Sequence, residues 1–412
     1  MRYGLIGERL GHSYSCEIHQ KIGDYPYSLQ EISKEDLALF LQKREFCAMN
    51  VTIPYKKDVI PFLDGIDEKA KSIGAVNTVV NRSGKLYGYN TDFDGLCALI
   101  SFAGISLKDK KVLILGSGGT SMTALSVAKS QGAREVYRVS RTKKEGVITY
   151  DEVFSFHKDC QVIINTTPVG MFPSPEATPL SLSAFPLLEG VLDAIYHPLR
   201  TTLVQEAQGL GVKASGGLYM LVAQAVYASA LFFGKEPDAD AILPIYQATL
   251  REKENAVLIG MPSSGKTTVG KLLARGLDRP FVDTDERLTE KLGMPVSLFI
   301  EKYGEESFRK EETEVIREVA KMSGCVIATG GGAVLKEENV RLLKQNGKLF
   351  FLDRALENLT PTASRPLSSD KARLEALYTV RLPIYQAAKD ITVEANRDAS
   401  LVAKEIKETF FS

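Results

Sequence analysis

The chain lacks most of what would mark an exported, disulfide-bonded, metal-clustered or membrane-bound protein. Its 412 residues include no tryptophan and only four histidines, His12, His19, His157 and His197. With histidine so scarce, lysine and aspartate become the better candidates for acid–base work. The five cysteines, at 16, 47, 97, 160 and 325, are odd in number, scattered and without a CxxC pair. That pattern fits free thiols in a reducing cytosol, not a disulfide framework or a zinc site. There is no surplus charge of either sign, since Lys+Arg and Asp+Glu both total 51. A nucleic-acid binder usually presents a basic surface, so this balance argues against that class. The N-terminal MRYGLIGERLGHS has no long apolar h-region, and no apolar run reaches about 18 residues. The expectation is a soluble, cytoplasmic monomer or homodimer whose partners are small molecules, with no nucleic acid and no membrane.

What is present is an ordinary hydrophobic content of 44% spread over a chain long enough for two or three domains. Strand-like runs recur at KVLILG (111–116), EVYRVS (135–140), CQVIIN (160–165), AVLIG (256–260), FVDTD (281–285), CVIATGG (325–331) and KLFFLD (348–353). Several are separated by 10–20 residues of helical spacing. This alternation predicts parallel α/β units. KEPDADAILPIYQATLREKEN (235–255) reads as a closing helix and a short charged joint, which places a boundary near Glu254. The division is then 1–254 and 255–412. The first part splits further, into 1–100 plus about 217–254, around a central βαβ unit at 101–216.

KVLILGSGGTSMTALSVAKSQGA reads as strand, tight glycine turn and helix. Gly116, Ser117, Gly118 and Gly119 form the turn, whose backbone can approach a pyrophosphate at a helix N-terminus. Ser121 stands at the third glycine position of the fingerprint. The end of the next strand chooses the cofactor. An NAD site usually places a carboxylate there, whereas Ser140, Arg141, Thr142, Lys143 and Lys144 stand here. A guanidinium can grip a 2′-phosphate that a carboxylate would repel, so the stretch reads as NADP(H) binding or, more blandly, as a solvated basic turn.

Four N-terminal stretches, GHSYSCEIH (11–19), NVTIPYK (50–56), GAVNT (74–78) and YNTD (89–92), gather small polar side chains near glycines. Ser13, Ser15, Thr52, Asn77 and Asn90 suit a polyhydroxylated ligand, and Lys56 with Asp92 suits proton management. Singly, each also has a plain reading. Lys56 beside Lys57 fits a solvated pair, and NT and NTD are common turn chemistry. Together, and in order with INTTPVGM (164–171), LDAIYHPLRTTL (192–203) and GGLYMLVAQA (216–225), they resemble shikimate dehydrogenase over roughly residues 1–250. The resemblance implies NADPH-dependent reduction of 3-dehydroshikimate. It implies that Ser13 and Ser15 meet the substrate carboxylate, and that Thr52, Asn77, Asp92 and Gln224 hold its hydroxyls near Tyr196. Lys56 would be the acid–base residue, with Asp92 holding it in place. Cys16 stands where the family usually has proline, and Phe232-Phe233-Gly234 replaces a tryptophan-containing end.

AVLIGMPSSGKTTVGKLLARGL repeats the strand, loop and helix order with a different loop. Gly260-x4-Gly265-Lys266-Thr267 fits the phosphate-binding P-loop in full. Backbone donors along Gly260, Ser263, Ser264, Gly265 and Thr268 would cradle phosphate. Lys266 would reach the β/γ-phosphates of ATP and the Thr267 hydroxyl would meet Mg²⁺. In FVDTDERL, strand alternation would put Asp283 and Asp285 on one side of the chain, one serving the metal and the other the acceptor hydroxyl. Arg309, the glycines at 330–332 and Arg381 suggest a small anionic acceptor, although each arginine alone also fits a surface ion pair.

The ordered motifs GxxxxGKT, DTD, GEESFRKEE, GGG, SRPL and RLPIY resemble shikimate kinase from about residue 255 to the end. The resemblance implies that Asp285, Arg309, Gly331 and Arg381 bind shikimate, with both arginines on its carboxylate. It places Asp283 on the Mg²⁺ side, Asp285 at the attacking 3-hydroxyl, and Arg365 at the transferring phosphate. LENLTPTASRPLSSD is shorter than the family's usual approach to the lid and lacks the basic residue commonly placed before SRPL. The expected fold is α/β: an N-terminal substrate domain with a Rossmann-like NADP domain, then a P-loop kinase domain with a parallel sheet, of nucleoside-monophosphate-kinase type. The expected function is a bifunctional shikimate-pathway enzyme. The same folds acting on quinate or another polyol acid, or one half serving as a non-catalytic module, are the alternatives.

Overall fold

Runs of aliphatic and β-branched residues become the strands of three sheets. The computed structural model describes residues 2–11, 13–360 and 371–411, in two units, Met1–Thr249 and Leu250–Ser412.

The first unit opens with β1 (Tyr3–Gly7), β2 (Tyr27–Glu31), β3 (Ala48–Val51), β4 (Gly65–Ile66), β5 (Thr78–Arg82) and β6 (Lys85–Tyr89), in the order β2-β1-β3-β5-β6-β4. β1 runs parallel to β2 and β3, whereas β5 is antiparallel to β3 and β6. Ser83 and Gly84, with φ of 53° and 84°, close the β5–β6 hairpin, the backbone that a two-residue turn demands.

Its second sheet holds β7 (Lys111–Leu115), β8 (Glu135–Ser140), β9 (Ile148–Thr149), β10 (Val162–Asn165), β11 (Gly190–Asp193) and β12 (Lys213–Ser215). The order is β12-β11-β10-β7-β8-β9, every pair parallel. Strands β7, β10 and β11 are buried throughout, as expected where helices cover both faces. This is the doubly wound arrangement, whose binding crevice opens beyond the carboxyl ends of β7 and β10.

Two helices tie the sheets of this unit together. Thr91–Phe102 and Leu218–Phe233 pack along each other, and Ala228 and Phe232 of the second helix cluster with Ala48 and Val80 of the first sheet. Their close approach depends on Gly95. A Cβ there would lie 2.8 Å from the carbonyl oxygen of Met220 and 3.0 Å from Cβ of Gln224.

The second unit has one parallel sheet of β13 (Asn255–Ile259), β14 (Phe281–Asp283), β15 (Val326–Ala328), β16 (Gly347–Asp353) and β17 (Ile391–Glu394), ordered β14-β15-β13-β16-β17. Alternate residues of β13 feed two cores, Val257 and Ile259 on one face and Ala256 and Leu258 on the other. The connection after β13 leads to β14 on one side, and that after β16 leads to β17 on the other. The crevice between β13 and β16 is therefore the switch point of this sheet.

One local expectation is corrected here. β14 stops at Asp283 and the helix Thr284–Leu292 begins at once. The Asp283 carboxylate accepts from the backbone N–H of Asp285 at 3.0 Å. This cap ends the strand, so period-two alternation does not reach Asp285. Among the described residues no helix is long and apolar enough to cross a membrane.

Candidate active sites

In the first unit the polar stretches of the sequence converge on the ends of β1, β3 and β5. Lys56 Nζ lies 2.6 Å from Asp92 Oδ2, with both side chains largely covered. Asp92 sits in the first turn of Thr91–Phe102, a helix begun by Asn90, whose side chain accepts from Phe93 N. The backbone holds the lysine as well, since Val76 N donates to the carbonyl of Lys56 at 2.8 Å. The next residue, Asn77, is buried and held by several hydrogen bonds. Its Oδ1 accepts from Thr91 N at 2.7 Å and from the Thr78 hydroxyl at 3.1 Å, and its Nδ2 donates to Thr91 Oγ1. Thr52 follows β3 and borders Gly7 at the end of β1. Gln224, on Leu218–Phe233, is buried with its Cβ against Gly95 of the Asp92 helix, and its Nε2 donates to the Leu221 carbonyl at 2.9 Å.

Ser13 and Ser15 face each other at 3.0 Å between hydroxyls, and Ser13 Oγ also accepts from Ser15 N at 3.2 Å. Tyr14, between them, crosses to the segment after β11. Its ring lies 5.3 Å from that of Tyr196, and its hydroxyl lies 2.9 Å from His197 Nδ1. Burial pushes the Tyr196 phenol above its usual pKa. That segment is organised by Asp193, which is completely buried. Its carboxylate accepts from Asn165 Nδ2 at 3.0 Å, Ile195 N at 3.0 Å and Thr201 Oγ1 at 2.7 Å. Desolvation outweighs these three donors and raises its pKa to about 7.

The glycine turn stands at the mouth of the β7–β10 crevice. Gly116 has φ of 123°, and a Cβ on it would meet Thr166 Oγ1 at 2.5 Å, so no other residue fits. Gly118 caps the helix Gly119–Ser130. A Cβ at Gly119 would lie 4.0 Å from Cδ of Lys56, which sets the ion pair of the first sheet against the dinucleotide turn of the second. At the end of β8, Ser140 Oγ accepts from Thr142 N, and Arg141 and Thr142 are exposed. Lys144 reaches back to Ser117 Oγ at 3.4 Å. Basic groups thus border the turn on the side of β8, with no carboxylate in the Ser140–Lys144 segment.

In the second unit the P-loop follows β13. Gly260, Ser263 and Gly265 adopt φ of 150°, 64° and 93°, which curl the backbone around a central space. Ser264, at the floor of the loop, is buried, and Thr267 and Thr268 fall in the first turn of Lys266–Leu277. Lys266 Nζ donates to the carbonyls of Gly260 and Met261, both at 2.9 Å. Thr267 Oγ1 donates to Asp283 Oδ2 at 2.8 Å. This hydroxyl and carboxylate are hard oxygen donors, the kind that suit Mg²⁺ when most of its shell is water and phosphate.

The proposed acceptor groups surround the glycines after β15. A Cβ at Gly330 would meet Asp285 Oδ1 at 2.5 Å, and one at Gly332 would meet Arg309 Nη1 at 2.3 Å. Arg381 Nη1 donates to the carbonyl of Gly331 at 3.0 Å. Asp285, Arg309, Gly331 and Arg381 are therefore neighbours although 96 residues separate the first from the last. Gly304, with φ of 81°, breaks the helical run Val296–Val319 and restarts it just before Arg309.

Reading the sequence missed several members of these sites. Glu312 pairs with Arg309 at 2.8 Å and is buried, which raises its pKa despite the guanidinium. Tyr385 donates to the same Gly331 carbonyl as Arg381. Both were available as helical spacings, i+3 from Arg309 and i+4 from Arg381. Asp193 and the Tyr14–His197 contact carried no such local signal. Arg365 and the rest of SRPL lie outside the described residues.

Residues 5–79 match the family model of the shikimate dehydrogenase substrate binding domain. A curated relative from Clostridium beijerinckii, a shikimate dehydrogenase (NADP(+)), is 35% identical over 247 residues, covering 56% of this chain and 91% of its own length. The chain belongs to the shikimate dehydrogenase family. Residues 262–410 match the shikimate kinase model, so the second unit carries a shikimate kinase domain. Among solved structures, shikimate dehydrogenase 1 of Peptoclostridium difficile is 37% identical with a TM-score of 0.56, covering 60% of this chain and 97% of that one. The Thermus thermophilus enzyme, solved with NADP(H) and shikimate, is 29% identical with a TM-score of 0.55, covering 60% and 99%. The chain is a bifunctional shikimate-pathway enzyme, an oxidoreductase joined to a kinase.

Proposed function

We propose that residues 1–254 reduce 3-dehydroshikimate to shikimate with NADPH, and that residues 255–412 phosphorylate the 3-hydroxyl of shikimate with ATP. The observation that carries the reading is that each nucleotide turn faces a prepared acid–base or anion-binding group. Lys56 and Asp92 stand against Gly119 in one unit, and Asp285, Arg309 and Arg381 encircle the glycines beside the P-loop in the other.

NADPH, when bound, supplies the hydride. As the carbonyl carbon is reduced, charge grows on its oxygen, and the Lys56 ammonium stabilises that charge and delivers the proton. Asp92 holds the lysine in place and meets a substrate hydroxyl. Ser13 and Ser15 receive the carboxylate, while Thr52, Asn77, Gln224 and Tyr196 fix the ring. Arg141, with Ser140, Thr142 and Lys144 nearby, favours a 2′-phosphate over the free ribose of NAD. That preference weighs against an NAD-dependent quinate enzyme.

ATP with Mg²⁺, when bound, supplies the phosphoryl group and partly neutralises it. Lys266 leaves the loop carbonyls to meet the phosphates, and Thr267 with Asp283 provides the metal-side oxygens. Arg309 and Arg381 clamp the acceptor carboxylate, and Asp285 orients the attacking hydroxyl. Positioning and charge neutralisation carry this chemistry. Lys56→Ala is expected to cost roughly 10²–10⁴-fold in reduction and leave phosphorylation intact. Lys266→Ala is expected to do the reverse, at roughly 10²–10³-fold. Separate assays of NADPH oxidation and ADP release test both, and a variant that lowers both activities together would contradict the assignment.

A further inference from the structure

The P-loop of the second unit has a basic neighbour that no motif assigns. Arg354 follows β16 directly, at the carboxyl end of the strand that flanks β13. The two strand ends border the switch-point crevice, where parallel sheets bind their ligands. A Cβ built on Gly265 would lie 3.7 Å from Arg354 Nη1, so the guanidinium stands beside the turn that leads into Lys266. The strand end is seated closely there, since a Cβ on Gly260 would meet the carbonyl of Leu352 at 3.0 Å.

The guanidinium is also unspent. Its Nε is buried without a hydrogen-bond partner, and among the described residues no carboxylate pairs with it. A buried donor without an acceptor costs stability unless a ligand completes it. The backbone beyond is fixed by its neighbours. Asn396, just past β17, accepts from Ala355 N at 2.8 Å and from Asn358 Nδ2 at 2.9 Å. Further on, the carbonyl of Thr360 accepts from Ser263 of the P-loop at 2.8 Å. Arg354 is thus held in place by a braced segment, close to a backbone built to bind an anion.

We propose that Arg354 is a binding residue for the polyphosphate of the nucleotide in the kinase unit. A planar guanidinium can donate two N–H groups to phosphate oxygens. It would supply, from the end of β16, the positive charge that the stretch before SRPL lacks. The proposal rests on the kinase reading of this unit, and the test separates the two.

Calorimetric titration of the full chain with ADP in Mg²⁺ is the direct measurement, backed by the KM values for ATP and shikimate. Arg354→Ala is expected to weaken ADP about tenfold or more, to raise the KM for ATP in step, and to leave the KM for shikimate within about twofold. Arg354→Lys should fall between, because it keeps the charge and loses the fork. Equal ADP affinity in wild type and Arg354→Ala overturns the proposal and leaves the kinase reading standing. Failure of the wild-type chain to bind ADP overturns the kinase reading itself. If Arg354→Ala loses its calorimetric unfolding transition, Arg354→Gln is the deciding variant, with the same expected and contrary results.

Discussion

Lys56 and Lys266 are both held by oxygen atoms, but of different kinds. Lys56 is paired with the Asp92 carboxylate, which fixes where its ammonium points. Lys266 is held by neutral carbonyls that an incoming phosphate can replace. Asp193 shows how burial competes with hydrogen bonding. In the fold it keeps its proton up to about pH 7, whereas an unfolded aspartate releases it near pH 4. Between those values the folded state binds the extra proton, so stability is highest below that window and falls as pH rises through it. Calorimetry of the wild type from pH 5 to 8 should show the unfolding midpoint falling more steeply than in Asp193→Asn, and parallel slopes would refute the assignment. Gly332 gives a sharper test in the other unit. Its alanine variant would press on Arg309, and the KM for shikimate should rise roughly tenfold while that for ATP holds. Lys56, Asp92 and the P-loop were legible in the sequence because their chemistry is local to short motifs. Asp193 and Glu312 were not, because burial by distant elements gives them their character.

At the scale of elements, the continuous apolar strands were readable because both of their faces are covered. Each of the seven runs read from the sequence contains the core of an observed strand, whereas β9, β11, β12 and β17 were not read. FVDTD loses its last two residues to a helix that Asp283 caps. The first sheet is different. Its mixed directions and half-exposed β2 leave no regular pattern, and none of its six strands was read in advance. The returning helix Leu218–Phe233 was anticipated only in outline, and its contact with Thr91–Phe102 turns on Gly95. Alanine there collides with the Met220 carbonyl and the Gln224 stem. Gly95→Ala is expected to cost about 1–3 kcal/mol of stability and, by shifting Gln224 and Asp92, to depress reduction while sparing phosphorylation. Denaturant unfolding together with both assays would check this, and an unperturbed variant would show that the helices have slack.

At the scale of the whole molecule, the chain carries two nucleotide turns of different design because the two group transfers need different cradles. On the proposed function a dinucleotide would lay its pyrophosphate across a helix N-terminus and leave its far ring near Lys56. A triphosphate must be wrapped by backbone donors with its last phosphate turned toward an acceptor. On the proposed function the order is chemically sensible, since the product of the first reaction would be the acceptor of the second. The most direct test supplies the purified chain with 3-dehydroshikimate, NADPH, ATP and Mg²⁺, and follows NADPH oxidation and ADP release separately. The account predicts NADPH oxidation without ATP, and ADP release that begins only once shikimate has been made or added. ADP release independent of shikimate, or a preference for NADH over NADPH, would contradict it.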